Sequence, residues 1–299
     1  MSKKIHDVAI VGAGAAGCAA AIQLKRSKIE PIVFEKEEIG GLIWNANFVE
    51  NYLGIPFGVK GTEFARLLRN HLQFLKIEVQ KEEIVTIKWD KKKELFQIAS
   101  YENEFHSKYL ILATGTEPKK LAIVGENQLI EKEILFYEPK NIPSRSLSRA
   151  HIAIIGGGDV AFDYALNLSR KNNHVNIFHR GKKSNCLPLL YQRAKDSKYI
   201  VIRPNKNVRQ LGIPDMQQSS RKALLEFADG TSYMADLVLV AIGRKPNSII
   251  NTKLFQVPID KEYLFLIGDL VNSNFRQLSI SAGDGIKTAM KISSKINKI

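Results

Sequence analysis

Cysteine is scarce in this chain, whose 299 residues include only Cys18 and Cys186. The two lie far apart in the sequence, so the chain has no C-x-x-C pair of the kind used for dithiol exchange. We expect Cys18 to be a buried small hydrophobe and Cys186 to be an unpaired thiol. We expect no metal site.

Long apolar runs are also absent. No stretch approaches the ~20 residues that a membrane-spanning helix needs. Lys3 and Lys4 precede an apolar run, as in a secretory signal, but Asp7 and a glycine motif interrupt that run. We therefore expect a cytoplasmic protein that does not bind membranes.

Acidic residues are outnumbered, and the formal net charge is +14. Such a charge can indicate nucleic acid, an anionic surface or an acidic protein as partner. The lysines are scattered and lack the interleaved aromatic residues that stack on bases, so we expect no nucleic-acid binding. A generally lysine-rich composition and the electrostatic steering of an acidic protein partner both remain open.

Glycine, in contrast, is concentrated at two places where an apolar strand runs into an alanine-rich helix. The first is DVAIVGAGAAGCAAAI, starting at Asp7, and the second is HIAIIGGGDVAFDYAL, starting at His151. Such turns let the backbone approach a pyrophosphate, which binds free amide groups at the helix N-terminus. The residues in G-x-G-x-x-G spacing are Gly12, Gly14 and Gly17 in the first copy and Gly156, Gly158 and Ala161 in the second. Two nucleotide sites are therefore predicted.

The two sites differ at the residue that follows the next strand. Glu35 lies 21 residues after the middle glycine of the first motif. Its carboxylate can accept hydrogen bonds from ribose hydroxyls, which favours FAD or NAD. The same count in the second motif reaches His179, followed by Arg180, Lys182 and Lys183. These cations favour the 2'-phosphate of NADPH over NADH, unless they form only a solvated basic turn.

An internal repeat organises the rest of the chain. After each glycine motif come an apolar meander and a strand that ends in glycine, at Gly115 and at Gly243. The remaining tail holds one apolar strand and a last helix from about Gly283, so we expect it to complete the first half. The prediction is an α/β fold with two Rossmann-like dinucleotide-binding domains, one inserted in the other. The outer domain comprises residues 1–115 and 245–299, and the inserted domain comprises residues 116–244.

Several short stretches together are more specific than either glycine turn alone. They are VGAGAAG, IGG followed by VENYLGIP, ATG at 113–115, IGGGDVA, VAIGRKPN, and IGD with RQLSISAGDG. With this set the chain resembles the low-molecular-weight thioredoxin reductase family of two-domain flavoproteins, over nearly its entire length.

The resemblance implies FAD in the discontinuous domain, a nicotinamide cofactor in the inserted domain, and usually a homodimer. The residues that it implies around FAD are Glu35 on the adenosine ribose, Gly40, Gly41 and Asn51 near the flavin, Gly115 in the ATG motif, Asp269 on the ribityl chain, and Arg276 and Gln277 beside the isoalloxazine.

One departure from that family concerns electron transfer. Thioredoxin reductases carry a redox-active C-x-x-C just ahead of the second glycine motif, where this chain has LIEKEILFYEPKNIPSRSLSRA, without cysteine. Without the disulfide, the flavin becomes the last protein-bound electron carrier. The chain is also partially similar to the thioredoxin-reductase-like ferredoxin-NADP reductases, a branch that lacks the disulfide.

These observations predict an FAD-dependent NAD(P)H oxidoreductase. Electrons would pass from NADPH, or less favourably NADH, through FAD to ferredoxin, flavodoxin or a small-molecule acceptor. The flavin carries the chemistry, and no catalytic side chain is assigned. Trp44, Phe48 and Tyr137 are candidates to line the flavin, with packing in the core as the alternative. Two other functions stay open: a disulfide or small-molecule reductase that uses a substrate thiol or Cys186, and a non-catalytic flavoprotein redox sensor.

Overall fold

The computed structural model describes residues 4–143, 148–214, 222–247, 255–256 and 262–297, with the backbone alone at 255–256. The chain divides into two compact units. Residues 1–44, 49–117 and 246–299 form the first unit, and residues 45–48 and 118–245 form the second. The second unit is inserted in the first, and its main segment, residues 118–245, begins and ends within two residues of the bounds 116 and 244 given above for the inserted domain. The grouping of residues 45–48 with the second unit had no signal in the sequence.

The described residues form eighteen strands and six α-helices. The strands are β1 (Ile5–Val11), β2 (Pro31–Phe34), β3 (Glu78–Gln80), β4 (Thr86–Asp90), β5 (Leu95–Ala99), β6 (Glu104–Leu112), β7 (Thr116–Pro118), β8 (Leu135–Phe136), β9 (His151–Ile155), β10 (His174–Phe178), β11 (Ile200–Arg203), β12 (Val208–Gly212), β13 (Ala223–Phe227), β14 (Ser232–Ala235), β15 (Leu237–Val240), β16 (Arg244–Pro246), β17 (Phe255–Gln256) and β18 (Leu264–Leu266). The helices are α1 (Ala15–Arg26), α2 (Gly61–Phe74), α3 (Glu126–Glu131), α4 (Asp159–Ser169), α5 (Pro188–Asp196) and α6 (Leu278–Asn297).

The main sheet of the first unit has a parallel and an antiparallel part. Strands β3, β2, β1, β6 and β18 run parallel in that order. Strands β5 and β4 extend the sheet antiparallel from β6, and β17 follows β4. The long strand β6 accommodates both parts, because residues 104–107 pair with β5 and residues 110–112 pair with β18. The tail thus completes the first sheet, since β18 is its last parallel strand.

The second unit repeats the parallel arrangement. Strands β11, β10, β9, β15 and β8 form a parallel sheet, and β12, β13 and β14 form a separate antiparallel sheet. Strand β8 precedes the glycine motif in sequence, yet it lies beside β15 as β18 lies beside β6. The sequence did not predict β8, because two residues are too few to show an alternating pattern.

The first strand of each motif is buried on both faces, which explains its continuous apolar character. In β1, Ile10 packs with α1 and α6, whereas Val11 packs with β4 and β5. In β9, Ile154 packs with α4 and α5, whereas Ile155 packs with β12, β13 and β14. Both glycine turns therefore start from strands that are held rigidly in a core.

The last helix begins earlier than the sequence suggested. Helix α6 begins at Leu278, and Gly283 lies within it. Glycine is a weak helix former, so Gly283 and Gly285 obscure the extent of this helix in the sequence. The second glycine in the helix, Gly285, has a packing role, because a Cβ atom there would lie 2.2 Å from the Ala16 carbonyl oxygen of α1. Close contact between α1 and α6 thus requires a residue that would ordinarily weaken a helix.

Among the helices of the described residues, none has both the length and the apolar character needed to cross a bilayer.

Candidate functional site

The three glycines of the first turn have different surroundings. Gly12 has a positive φ of 104°, and a Cβ there would lie 2.4 Å from the Ala113 carbonyl oxygen. A Cβ on Gly17 would lie 1.9 Å from the Gly12 carbonyl oxygen. Gly14 is different, because no described atom outside its chain neighbours comes within 4 Å of its Cβ position. Gly12 and Gly17 thus permit close backbone packing, while Gly14 leaves space for a ligand to approach the start of α1.

The turn lies where the parallel sheet changes its winding direction. Strands β2 and β3 extend from β1 on one side, and β6 and β18 extend on the other. Ligands of open α/β sheets bind at the carboxyl ends of the strands at such a switch point. The ATG segment follows β6 there, and the Thr114 Oγ1 atom is buried without a hydrogen-bond partner in the described chain. Gly115, with φ of 64°, also faces open space.

Glu35 follows β2 at the same edge and contacts the glycine turn directly. Its Oε2 accepts a hydrogen bond from the Ala13 amide at 2.8 Å, and its Oε1 accepts one from the Glu37 amide at 2.9 Å. These bonds hold the carboxylate next to the turn, and each oxygen keeps a lone pair for a ribose hydroxyl.

Gly40 and Gly41 lie beside the same turn. The Gly40 amide donates to the Ala13 carbonyl oxygen at 2.8 Å. Gly41 has a φ of 53°, and a Cβ there would lie 3.5 Å from the Gly14 Cα atom. A bulkier residue at position 41 would therefore narrow the space above Gly14.

Asn51 and Gln277 come together although 226 residues separate them. The Asn51 Nδ2 atom donates to Gln277 Oε1 at 2.8 Å, just before α6 begins. Arg276 is the neighbouring residue and is half-buried. Asp269 lies in the short 3-10 helix Gly268–Leu270 and accepts a hydrogen bond from the Ser281 hydroxyl at 2.9 Å. The hydrogen bond from Asn51 to Gln277 thus joins two segments of the first unit that carry predicted flavin-side residues.

Trp44 lies in the short 3-10 helix Gly41–Asn45, which begins directly after Gly40. Its indole Nε1 donates to the Ile39 carbonyl oxygen at 2.9 Å. The ring is half-buried, and its role in lining a flavin stays a prediction.

The second glycine turn repeats the geometry of the first. Gly156 has a φ of 150°, and a Cβ there would lie 2.2 Å from the Ala241 carbonyl oxygen, at the switch point between β9 and β15. Ala161 is fully buried, in the place of the third glycine. Gly158 matches Gly14, since no described atom beyond its neighbours comes within 4 Å of a Cβ there. The second unit thus offers the same kind of approach to the start of α4.

His179 lies under the second turn and not on its surface. A Cβ on Gly157 would lie 2.9 Å from the His179 Cβ atom, so the histidine supports the turn from below. Burial lowers the pKa of His179, which favours the neutral imidazole. Arg180, Lys182 and Lys183 are exposed in the loop that follows. The structure therefore separates one buried histidine from three exposed cations that the sequence had grouped together.

Tyr137 is almost fully buried within the second unit. Its hydroxyl donates to Glu126 Oε1 and accepts a hydrogen bond from the Leu121 amide at 3.0 Å. Burial and the bond to Glu126 raise the pKa of the phenol. The Lys120 Nζ atom lies 4.0 Å from the ring centroid. These contacts give the side chain a packing role, and flavin lining by Tyr137 stays a prediction.

Both thiols are free. Cys18 is fully buried in α1, and its Sγ donates to the Ala13 carbonyl oxygen at 3.2 Å. Burial raises the pKa of this thiol to about 12. Cys186 is half-buried beside Ser184. In the part of the chain that the structure describes, no group of three or more His, Cys, Asp or Glu side chains could hold a metal ion.

Sequence reasoning missed several residues that shape the turns. Asp284 Oδ2 accepts hydrogen bonds from the Gly268 amide and from Asn272 Nδ2, which holds the turn that carries Asp269. The Asn185 amide donates to the Gly157 carbonyl oxygen at 2.8 Å. Asp284 lies in the RQLSISAGDG stretch, so a signal for it existed. The sequence offers no signal for Asn185, because its contact with Gly157 forms only when the loop after β10 returns to the glycine turn.

These features fit dinucleotides in both units. The space above Gly14, the unpaired Thr114 hydroxyl and the carboxylate of Glu35 suit a pyrophosphate and an adenosine ribose in the first unit. The space above Gly158 suits a second pyrophosphate.

Comparisons with known proteins also indicate an oxidoreductase that uses a pyridine nucleotide. A family model described as pyridine nucleotide-disulphide oxidoreductase matches residues 6–283. The thioredoxin reductase of Treponema pallidum (strain Nichols) is 26% identical over 308 residues, which cover 98% of this chain and 98% of that protein. The bifunctional thioredoxin reductase/thioredoxin of Mycobacterium leprae (strain TN) is 27% identical over 300 residues, covering 96% of this chain and 65% of that protein.

A solved structure shows the same fold. The crystal structure of T. acidophilum thioredoxin reductase superposes with a TM-score of 0.85 at 27% identity, covering 99% of this chain and 100% of that one. Because the family model, the relatives and this structure all match along almost the whole chain, the protein belongs to the pyridine nucleotide-disulphide oxidoreductase family as a thioredoxin-reductase-like oxidoreductase.

Proposed function

We propose that this chain transfers electrons from NADPH through FAD to an external acceptor, ferredoxin or flavodoxin, without an internal dithiol. The observation that carries the proposal is the presence of two open glycine turns in a chain that has no C-x-x-C pair. Each turn leaves space for the pyrophosphate of a nucleotide, while a disulfide cannot form in the segment before the second turn, because that segment has no cysteine.

The first unit would hold FAD. Gly14 and the first amides of α1 would receive the pyrophosphate, and Glu35 would accept hydrogen bonds from the adenosine ribose. Asp269, together with Asn51 and Gln277, would bind the ribityl and flavin part. FAD, when bound, supplies hydride acceptance and electron transfer, and the side chains supply binding and orientation.

The second unit would hold NADPH. Gly158 and the first amides of α4 would receive its pyrophosphate, and Arg180, Lys182 and Lys183 would bind the 2'-phosphate by charge-assisted hydrogen bonds. Residues 118–245 contain 21 of the 44 Lys and Arg residues but only 11 of the 30 Asp and Glu residues. The basic excess of the whole protein is therefore concentrated around this unit, which supports a more anionic nucleotide than NADH.

Stopped-flow spectroscopy tests the proposal. The purified protein is reconstituted with FAD and mixed with NADPH or NADH under anaerobic conditions. We expect the flavin absorbance near 450 nm to bleach, faster with NADPH, and to recover on addition of oxidised ferredoxin or flavodoxin. If the flavin bleaches with neither NADPH nor NADH, this function is excluded and the non-catalytic flavoprotein sensor remains.

The similarity to thioredoxin reductases supports a second candidate, a disulfide reductase that acts on thioredoxin or another disulfide. In that case a substrate thiol or Cys186 would replace the missing pair. Thioredoxin reduction that is lost in Cys186→Ser would favour this candidate, whereas ferredoxin reduction that persists in the same variant would favour the first. The assembly proposed for either function is a homodimer, which light scattering measures directly.

A further inference from the structure

Three large apolar side chains of the first unit are almost fully exposed. Leu53 is 96% exposed, Phe57 is 91% exposed and Phe275 is 76% exposed. We call these three residues the flavin-edge patch. Single exposed apolar residues are common, but several large ones on adjoining segments indicate a binding surface.

The loop that carries Leu53 and Phe57 is held by hydrogen bonds. Its ends are joined because the Val49 and Val59 amides each donate to the other's carbonyl oxygen, at 2.7 and 3.0 Å. Within the loop the Ile55 amide donates a hydrogen bond to the Tyr52 backbone carbonyl oxygen. The Tyr52 ring packs edge-on against the Phe64 ring, with centroids 5.0 Å apart. The tyrosine thus faces inward, while its neighbour Leu53 faces solvent in an ordered loop.

Phe275 belongs to a second segment that adjoins this loop. The hydrogen bond from Asn51 Nδ2 to Gln277 Oε1 joins the two segments. The Phe275 amide also donates to the Asn272 carbonyl oxygen at 2.8 Å, which orders the turn. This segment follows β18 at the carboxyl edge of the parallel sheet, where ligands bind. The patch therefore lies beside Asn51 and Gln277, the residues proposed to hold the flavin.

We propose that the flavin-edge patch is the docking surface for a small acidic electron-carrier protein. This inference rests on the proposed function, since it names the surface that the external acceptor uses. An apolar centre excludes water and a charged rim selects the partner, as in transient protein interfaces. The net charge of +14 would steer an acidic carrier toward the protein as a whole, and the first unit, which carries the patch, also has more Lys and Arg than Asp and Glu. Lys60 and Arg276 lie on the two segments next to the patch.

The electron balance needs only the partners already named. Oxidation of NADPH to NADP⁺ releases one proton and two electrons, which reduce two ferredoxins by one electron each. A carrier that docks at the edge of the flavin shortens the transfer distance, so the patch should govern carrier reduction without affecting hydride entry.

The test compares variants at exposed positions. The first is the double change Leu53→Ser with Phe57→Ser, and the second is Phe275→Ser on the other segment. The matched control is Phe74→Ser, because Phe74 is 82% exposed in α2 of the same unit. Each protein is assayed for flavin bleaching by NADPH, for turnover with ferricyanide, and for reduction of a [2Fe–2S] ferredoxin and a flavodoxin at low salt.

We expect kcat/KM for the carrier proteins to fall tenfold or more in both patch variants and to stay unchanged in Phe74→Ser. Bleaching and ferricyanide turnover should remain at the wild-type level, which separates this inference from the proposed function. Unchanged carrier reduction in both patch variants would overturn the inference. The inference would also be overturned if the wild-type protein reduced neither ferredoxin nor flavodoxin although NADPH bleached its flavin normally. Conversion of a dimer to a monomer by the patch variants would assign the surface to a second copy of this chain instead.

Discussion

At the scale of single residues, the two glycine turns show that equal spacing does not mean equal roles. Gly12 and Gly156 lie against the carbonyl oxygens of Ala113 and Ala241, respectively. Gly14, in contrast, has extended backbone, with φ of −73°, and faces open space. The fold excludes a side chain at Gly12 and Gly156, whereas at Gly14 we expect a side chain to be excluded only by the proposed dinucleotide.

This difference predicts opposite behaviour of two substitutions that look alike. Gly12→Ala should destabilise the protein by about 3 kcal/mol, because the Cβ overlaps backbone and the residue keeps a positive φ. Gly14→Ala should leave the thermal midpoint of the flavin-free protein unchanged but lower its FAD content after reconstitution. Thermal unfolding and the ratio of absorbance at 450 to 280 nm measure the two effects. Equal destabilisation by both variants would contradict this assignment.

The two residues predicted at equal spacing after the glycine turns have different surroundings in the fold. Glu35 contacts the glycine turn, as its spacing indicated, because the end of a parallel strand is placed next to its neighbour. His179 has the same spacing in the second motif but is buried beneath Gly157. Position along the chain therefore located each residue, while packing decided whether its side chain lies beside the glycine turn or is buried beneath it.

At the scale of elements, helix α6 contains two glycines with different surroundings. Gly283 is exposed and no described atom outside its own helix backbone lies within 4 Å of its Cβ position, whereas Gly285 faces α1. Gly283→Ala should stabilise the protein by about 0.5–1 kcal/mol, because alanine is the better helix former. Gly285→Ala should destabilise it by about 3 kcal/mol through overlap with Ala16. Urea unfolding of the pair measures both, and stabilisation by both would show that α1 and α6 are not closely packed.

The loop after β10 gives a prediction about nucleotide choice. Replacing both Arg180 and Lys182 with Ala should raise the KM for NADPH about tenfold, since each exposed ion pair with the phosphate contributes about 0.5–1 kcal/mol. The KM for NADH should not change, because NADH has no 2'-phosphate. Lys198→Ala is the matched control, since Lys198 precedes β11 at the opposite edge of the sheet. Equal increases for both nucleotides would show that the cations act only through general charge.

At the scale of the whole molecule, buried acidic protons make the folded state sensitive to high pH. Burial raises the pKa of Cys18 to about 12 and raises the pKa values of Tyr137 and Tyr164. Above about pH 9 the unfolded chain releases protons that the folded protein keeps. The unfolded state then binds fewer protons, so the free energy of unfolding falls as the pH rises.

Urea unfolding at pH 8 and at pH 11 checks this dependence. The free energy of unfolding of the wild-type protein should be lower at pH 11 than at pH 8. The decrease should be about 2 kcal/mol smaller in Cys18→Ala, because this variant lacks the buried thiol. Comparing the loss within each variant removes any effect of the substitution that is independent of pH. Parallel losses in both proteins would show that Cys18 does not contribute.

The α/β class, the repeated glycine turns and the return of the tail to the first half could all be predicted from the sequence. These depend on local patterns: apolar strands of five to seven residues, glycine where the backbone turns, and a carboxylate or cation at a set distance. The sequence also determined that no C-x-x-C pair can act, since that requires only the absence of a residue type.

Which residues contact one another across the chain could be learned only from the folded protein. The pairing of β8 with β15, the burial of His179 and the contact between Asn51 and Gln277 depend on segments that are distant in the chain. Such contacts leave no periodic signal, because each partner is chosen by the packing of a whole layer. The exposure of Leu53, Phe57 and Phe275 is of the same kind, since composition shows that a residue is apolar but only the fold shows that nothing in the described chain covers it.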